Sequence, residues 1–135
     1  TIMITGNDHD RDQMIKQLRK LHDVHFVKEM VAEKSVCREL VLLKVATDRS
    51  NRQEIIDAAN VFRNKIIDYS TDAITMELTG ETKKLDAFIA LMKEYGILEL
   101  GRTGVVSLKR GDECLDGTNS RSLKKPRVRK RKTEE

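Results

Sequence analysis

The sequence has no tryptophan, one proline, two cysteines and 4% aromatic residues. Each shortage excludes something. With so few rings, any core must be built from Ile, Leu, Val and Met, and no platform of aromatic side chains is on hand for stacking nucleic-acid bases. Cys37 and Cys114 lie outside any C-x-x-C spacing, and no charged and then apolar leader opens the chain, which together fit a reducing, cytoplasmic compartment. No apolar run approaches the ~18 residues needed to cross a bilayer. Neither G-x-G-x-x-G nor G-x-x-x-x-G-K occurs, so the two common phosphate-cradling loops are absent. The formal charge of +4 is uneven: Asn119 to Glu135 hold eight Lys or Arg against two Glu, which leaves residues 1–118 at −2.

What is present is a repeat. Ile2 to Phe26 recurs without a gap as Met76 to Leu100, each copy reading as strand, Thr-Gly, amphipathic helix and strand. Aligned on Thr5-Gly6 and Thr79-Gly80, Ile2 matches Met76, Ile4 matches Leu78, Met14 matches Phe88, Ile15 matches Ile89, Leu18 matches Met92 and Val24 matches Leu98. Core positions agree while charges drift, as expected of two copies of one supersecondary unit. Arg38 to Tyr69 supply a further strand, helix and strand before the second copy, whereas the first starts at Thr1. The chain is therefore expected to be α+β: a ferredoxin-like β-α-β-β-α-β domain over 36–111, preceded over 1–30 by the rear half of a similar unit, with 112–135 a disordered basic tail.

Within that plan, the helix at Asp10–His22 should bury Met14, Ile15, Leu18 and Leu21 against a sheet made by strands 1–5 and 25–30, and Val31–Ser35 should be a linker. The run Arg38–Ala46 reads as a central strand covered on both faces. Ser50 with Gln53 suggests a capping box, Ile55, Ile56, Ala59 and Phe62 a helix face, and Asn64 a left-handed stop. Strands follow at 65–69 and 73–78, then a helix over 82–95 ending at Gly96, then a strand at 97–100 and an extension from Arg102 to Gly111.

Chemistry is sparse. His22 and His25 form an H-x-x-H near His9 and Cys37, but they fall at a helix end and in a strand, so solvated or capping histidines are expected. Asp68 and Asp72 flank a turn, a structural place for Asp. The Thr-Gly pairs precede helix N-termini, where an anion can bind, yet a turn that needs glycine for its backbone angles explains them. No catalytic constellation and no cofactor are indicated. The run Lys124–Lys132 offers a rival reading of the chain as a basic-tailed nucleic-acid-binding or nuclear-imported protein; a stand-alone small-molecule sensor is a third.

Five ordered segments carry a resemblance: Arg38-Glu39-Leu40-Val41-Leu42-Leu43-Lys44-Val45, Phe62-Arg63-Asn64-Lys65-Ile66-Ile67-Asp68, Glu77-Leu78-Thr79-Gly80, Lys84-Leu85-Asp86-Ala87-Phe88 and Arg102 to Gly111. Over about residues 1–112 the sequence resembles the small regulatory subunit of acetolactate synthase (acetohydroxyacid synthase), and Gln13 to Val24 is similar to the second helix of that family's N-terminal ACT domain. The resemblance implies a non-catalytic partner that binds the thiamine-diphosphate-dependent large catalytic subunit, activates it and confers feedback by valine or another branched-chain amino acid. It also implies a homodimer through the ACT region. The effector loop belongs to the front half of the ACT domain, which this chain is expected to lack, so no effector-binding residue is assigned. Arg38, Arg63, Arg102 and Thr103 are the expected partner contacts, being motif residues too polar for packing alone; the competing reading gives them hydrogen bonds and ion pairs inside the domain.

Overall fold

The computed structural model describes residues 1–117, so the basic run Lys124–Lys132 and the part of the tail assigned to 112–135 that follows residue 117 lie outside them; residues 112–117 are placed, with Glu113 paired to Lys28 and Lys109. Strand β1 (Ser35–Ala46) is the axis of the fold. Its inward side chains, Glu39, Val41, Leu43 and Val45, are buried, and alternation sends Val36, Arg38, Leu40, Leu42 and Lys44 to the other face. Helix α2 (Arg52–Val61) leads to β2 (Lys65–Tyr69) and β3 (Ala73–Gly80); α3 (Thr82–Met92) and a 3-10 turn lead to β4 (Ile97–Arg102). The sheet runs β2-β3-β1-β4 with every neighbouring pair antiparallel, the ferredoxin-like arrangement expected from the sequence. A short β5 (Val106–Lys109) pairs with Ser35–Arg38 of β1.

Helices α2 and α3 supply the cover of one face. Ile55 and Ala59 from α2, and Leu85, Phe88 and Met92 from α3, close with Val41, Leu43, Val45, Ile74, Met76 and Leu78 into one cluster. Phe62 and Phe88 meet with ring centroids 5.1 Å apart. Burying each of these large side chains stabilises the fold by about 1.5–3 kcal/mol, and this layer is the domain's only apolar core among the described residues.

Several local expectations need correction. Strand β1 is central but covered on one face only, because both helices lie on the same side; Leu42 is 43% exposed. The start of α2 is capped by Asp48, whose carboxylate accepts from the backbone N–H groups of Ser50 and Asn51, instead of by a Ser50 and Gln53 box. The left-handed residue after α2 is Arg63 (φ 57°), not Asn64. Arg63 N–H bonds the Asn60 carbonyl (3.0 Å) and Asn64 N–H the Ala59 carbonyl (2.8 Å), a Schellman stop displaced by one residue. Gly96 (φ 92°) ends the turn after α3 as expected. Neither Gly6 nor Gly80 has a positive φ. Their surroundings are tight instead: a Cβ on Gly6 would lie 2.8 Å from Asp10 Oδ2, and one on Gly80 3.0 Å from Lys84 Cδ and 3.3 Å from Leu85 Cδ1, so either would have to shift a neighbouring side chain.

The N-terminal half-unit keeps its helix but not its strands. Helix α1 (Asp8–Arg19) is closed by a reciprocal Asn7–Asp10 cap, which the sequence reading missed although N-x-x-D is a legible signal. Residues 1–5 and 25–30 form no ladder. A strand exists through its partners, and neither segment has one among the described residues.

Candidate interaction surfaces

Among the described residues no group of three or more His, Cys, Asp or Glu is placed to hold a metal ion. His22 is fully exposed and meets only Asp23. What the molecule does present is uncovered apolar surface, in two places with different origins.

The first is N-terminal. No residue of α1 is buried, so the stripe of Met14, Ile15, Leu18 and Leu21 finds no sheet to cover. A cleft of about 270 Å³ opens between that stripe and Ile2, Ile4 and Phe26. A larger one, about 510 Å³, lies between residues 1–8, Glu29 and the β1–β5 ladder at Cys37 and Ser107. Polar contacts fasten this region to the sheet. Ser107 N–H donates to Thr1 Oγ1 (3.1 Å), and Glu113 takes both Lys28 (2.7 Å) and Lys109 (2.6 Å). These two ammonium donors hold the Glu113 carboxyl down at about 2.

The second is the sheet face away from the helices. Register places Val36 opposite Leu108 and Arg38 opposite Val106, while Leu42 has Gly101 on one side and Glu77 on the other. Toward the far end this face turns polar: Lys44 pairs with Glu99 (2.7 Å) and Lys65 with Glu77 (4.0 Å).

The four expected contact residues are distributed unequally. Arg38 lies on the open face, with its guanidinium on the Cys37 carbonyl (2.7 Å) and 3.7 Å from Glu81. Thr103 continues the ladder beside it: its N–H bonds the Leu40 carbonyl and its hydroxyl accepts from Leu40 N–H, both at 3.1 Å. Arg102 points the other way, donating through Nε to Glu39 and through Nη1 to Asp86 (2.7 Å). Glu39 is 4% exposed at its side chain and also receives the Thr82 hydroxyl. Hydrogen bonds from Arg102 and then Thr82 outweigh its burial and hold its carboxyl below the ordinary range. This node ties β1, β4 and the start of α3 together, and composition gave no sign of it. Arg63 stands apart, exposed on the α2–β2 turn by the opposite edge strand. That turn carries a second unfavourable choice, because the buried amide atoms of Asn64 have no hydrogen-bond partner among the described residues.

No helix among the described residues is long and apolar enough to cross a membrane. The profile of the family described as "Small subunit of acetolactate synthase" matches residues 38–111. The probable acetolactate synthase small subunit of Methanothermobacter thermautotrophicus is 44% identical over 116 residues, covering 85% of this chain and 69% of that protein. The acetolactate synthase small subunit of Mycolicibacterium smegmatis is 43% identical, over 82% of this chain and 65% of its own length. The chloroplastic small subunit 2 of Arabidopsis thaliana is 40% identical over 93% of this chain, which spans 26% of it. Among solved structures, the small subunit from Thermotoga maritima superposes with a TM-score of 0.71 at 38% identity, over 79% of this chain and 67% of that one.

Proposed function

The chain belongs to the family of acetolactate synthase small subunits, and from that premise we propose that it is the non-catalytic regulatory subunit of a thiamine-diphosphate-dependent acetolactate synthase. In this reading it binds the large catalytic subunit in the cytoplasm, raises its activity and takes part in feedback by a branched-chain amino acid such as valine. The family membership carries the proposal. The exposed apolar surfaces support it, because a folded domain that leaves a sheet face and a helix stripe open is suited to work against another chain.

The proposed division is a partial ACT unit at 1–30, paired with a second copy in a homodimer, and a C-terminal domain at 36–111. Arg38, Arg63, Arg102 and Thr103 remain the proposed partner contacts, and the geometry ranks them. Arg102 and Thr103 spend their polar groups inside the domain, so they act by shaping the surface. Arg38 and Arg63 present charge outward. The Arg63 turn has the stronger claim: a non-glycine residue at positive φ stands beside an Asn64 amide that has no hydrogen-bond partner among the described residues, a pattern that clusters at functional positions.

A regulator works by preferring one conformation of its partner, and a coupling of about 1–3 kcal/mol suffices. Size-exclusion chromatography of the chain mixed with its large subunit tests the reading. Co-elution that weakens in Arg63→Ala and Arg38→Ala is expected, whereas two separate peaks under all conditions would contradict it.

A further inference from the structure

Residues 1–30 have little to hold them in place. Helix α1 buries no side chain, the segments on either side of it join no ladder, and the apolar core cluster takes no residue from this unit. A helix of 12 residues without packing is marginal in water. Something other than a shared core must therefore seat the unit on the sheet, and the chain that follows β5 supplies it.

Past Lys109, the Arg110 N–H bonds the Lys34 carbonyl (2.9 Å), and Gly111, at φ 78°, turns the chain. Beyond that turn a single oxygen of Glu113, Oε1, accepts from two ammonium groups: Lys28 of the N-terminal unit and Lys109 of β5. Exposed ion pairs contribute little. These lysines, however, keep only 31% and 20% of their side chains in water, and one carboxylate serves both, so its loss would leave two like charges facing each other. Leu115 supplies the apolar half of the contact. The residues that line both N-terminal clefts are Ile2, Ile4, Lys28 and Leu115, which puts Leu115 in the wall between the clefts, beside the start of the chain. The Gly117 N–H then closes a turn onto the Cys114 carbonyl (3.1 Å).

We propose that residues 111–117 are a clasp that seats the N-terminal unit on the C-terminal domain, closed by Glu113 between Lys28 and Lys109 and by Leu115 beside Ile2 and Ile4, and that opening it frees residues 1–30 while the sheet stays folded. The clasp is separable from the sheet because none of its side chains enters the core cluster. Its Lys109 side is anchored in the ladder to β1, and its Lys28 side is the one that lets go. On the functional reading above, such a joint is where a change in the N-terminal unit passes to the C-terminal domain, by ordering or releasing a segment. The joint is a property of this chain alone, so it stands or fails whatever the large subunit does.

Hydrogen exchange of the full chain, read by mass spectrometry, tests it in the wild type, Glu113→Gln and Lys28→Met. Neither substitution touches α1, whose amides at 12–19 report the seating, while those of β1 and β3 report the sheet. Both variants are expected to speed exchange in α1 by roughly tenfold or more, the size of one lost charge-assisted hydrogen bond, and to leave β1 and β3 at wild-type rates. Leu115→Asp should act in the same direction. Unchanged α1 exchange in Glu113→Gln and Lys28→Met overturns the proposal, since the two cut one link from its opposite ends. Acceleration of α1, β1 and β3 alike also overturns it, because Glu113 would then be a support of the sheet. Should Glu113→Gln lose its sheet signal by circular dichroism, Lys28→Met decides, and loss of that signal in both counts as the same refutation.

Discussion

At the scale of single residues, Glu39 is the side chain on which most converges. It is a buried carboxylate with an arginine and a hydroxyl aimed at it, and removing one partner of such a pair leaves the other charge uncompensated. Glu39→Ala is expected to cost stability near the lower end of ~3–5 kcal/mol, because Arg102 keeps 29% of its side chain in water. The pH dependence has a definite sign. The folded carboxyl titrates below its unfolded value of 4.5, so its contribution is present above that value and disappears as pH falls through the lower, folded one. Denaturant melts from neutral to acid pH should show wild-type stability falling below the ordinary carboxyl range more steeply than that of Glu39→Gln; parallel curves would contradict the role given to this carboxylate. Arg63 makes the opposite forecast. Arg63→Gly relieves a left-handed backbone and should raise stability by roughly 1 kcal/mol, which a urea melt reads directly; a loss of that size would show that the arginine is held for packing. Neither residue announced itself in composition. Glu39 looks like one of many surface acids until topology sets it beneath Arg102 and Thr82, and the left-handed position fell one residue before the asparagine that ordinarily takes it.

At the scale of elements, β3 and the helix α3 followed from periodicity, because Ile74, Met76 and Leu78 alternate and Leu85, Phe88 and Met92 recur at helical spacing. One strand misled. The run from Leu40 to Val45 lacks the polar alternation of a half-exposed strand, so it reads as covered twice, while both helices in fact lie on one side. A pair of substitutions separates the two faces. Phe88→Ala should cost about 3–5 kcal/mol, and Leu42→Ala should change stability by under about 0.5 kcal/mol as a surface change, each read from thermal or denaturant melts of the isolated chain. Equal losses would mean that the outward face is packed after all. The N-terminal strands failed for a different reason. The apolar residues of segments 1–5 and 25–30 suggest a capacity to pair, and pairing needs neighbours that these segments do not have within the described residues. The helix between them survived because its hydrogen bonds are internal and its Asn7–Asp10 cap is local.

At the scale of the whole molecule, a ferredoxin-like domain is joined through polar contacts to a segment that buries no helix residue. The candidate surfaces were legible only indirectly. Family resemblance pointed to a partner, and the Arg and Thr residues of its motifs were plausible contacts, but the open sheet face became visible only when register paired β5 with the first residues of β1. The exposed apolar side chains include Leu42, Val106 and Leu108 on the open sheet face and Ile2, Ile4, Met14, Leu21 and Phe26 in the N-terminal segment, surface of the kind a subunit that works against another chain would present. The most direct measurement of this account is pyruvate turnover by the large catalytic subunit, titrated with this chain. The prediction is a saturable rise in turnover, reduced in Arg63→Ala while that variant stays folded. Turnover that is flat across the titration, with the chain folded and in excess, would contradict it.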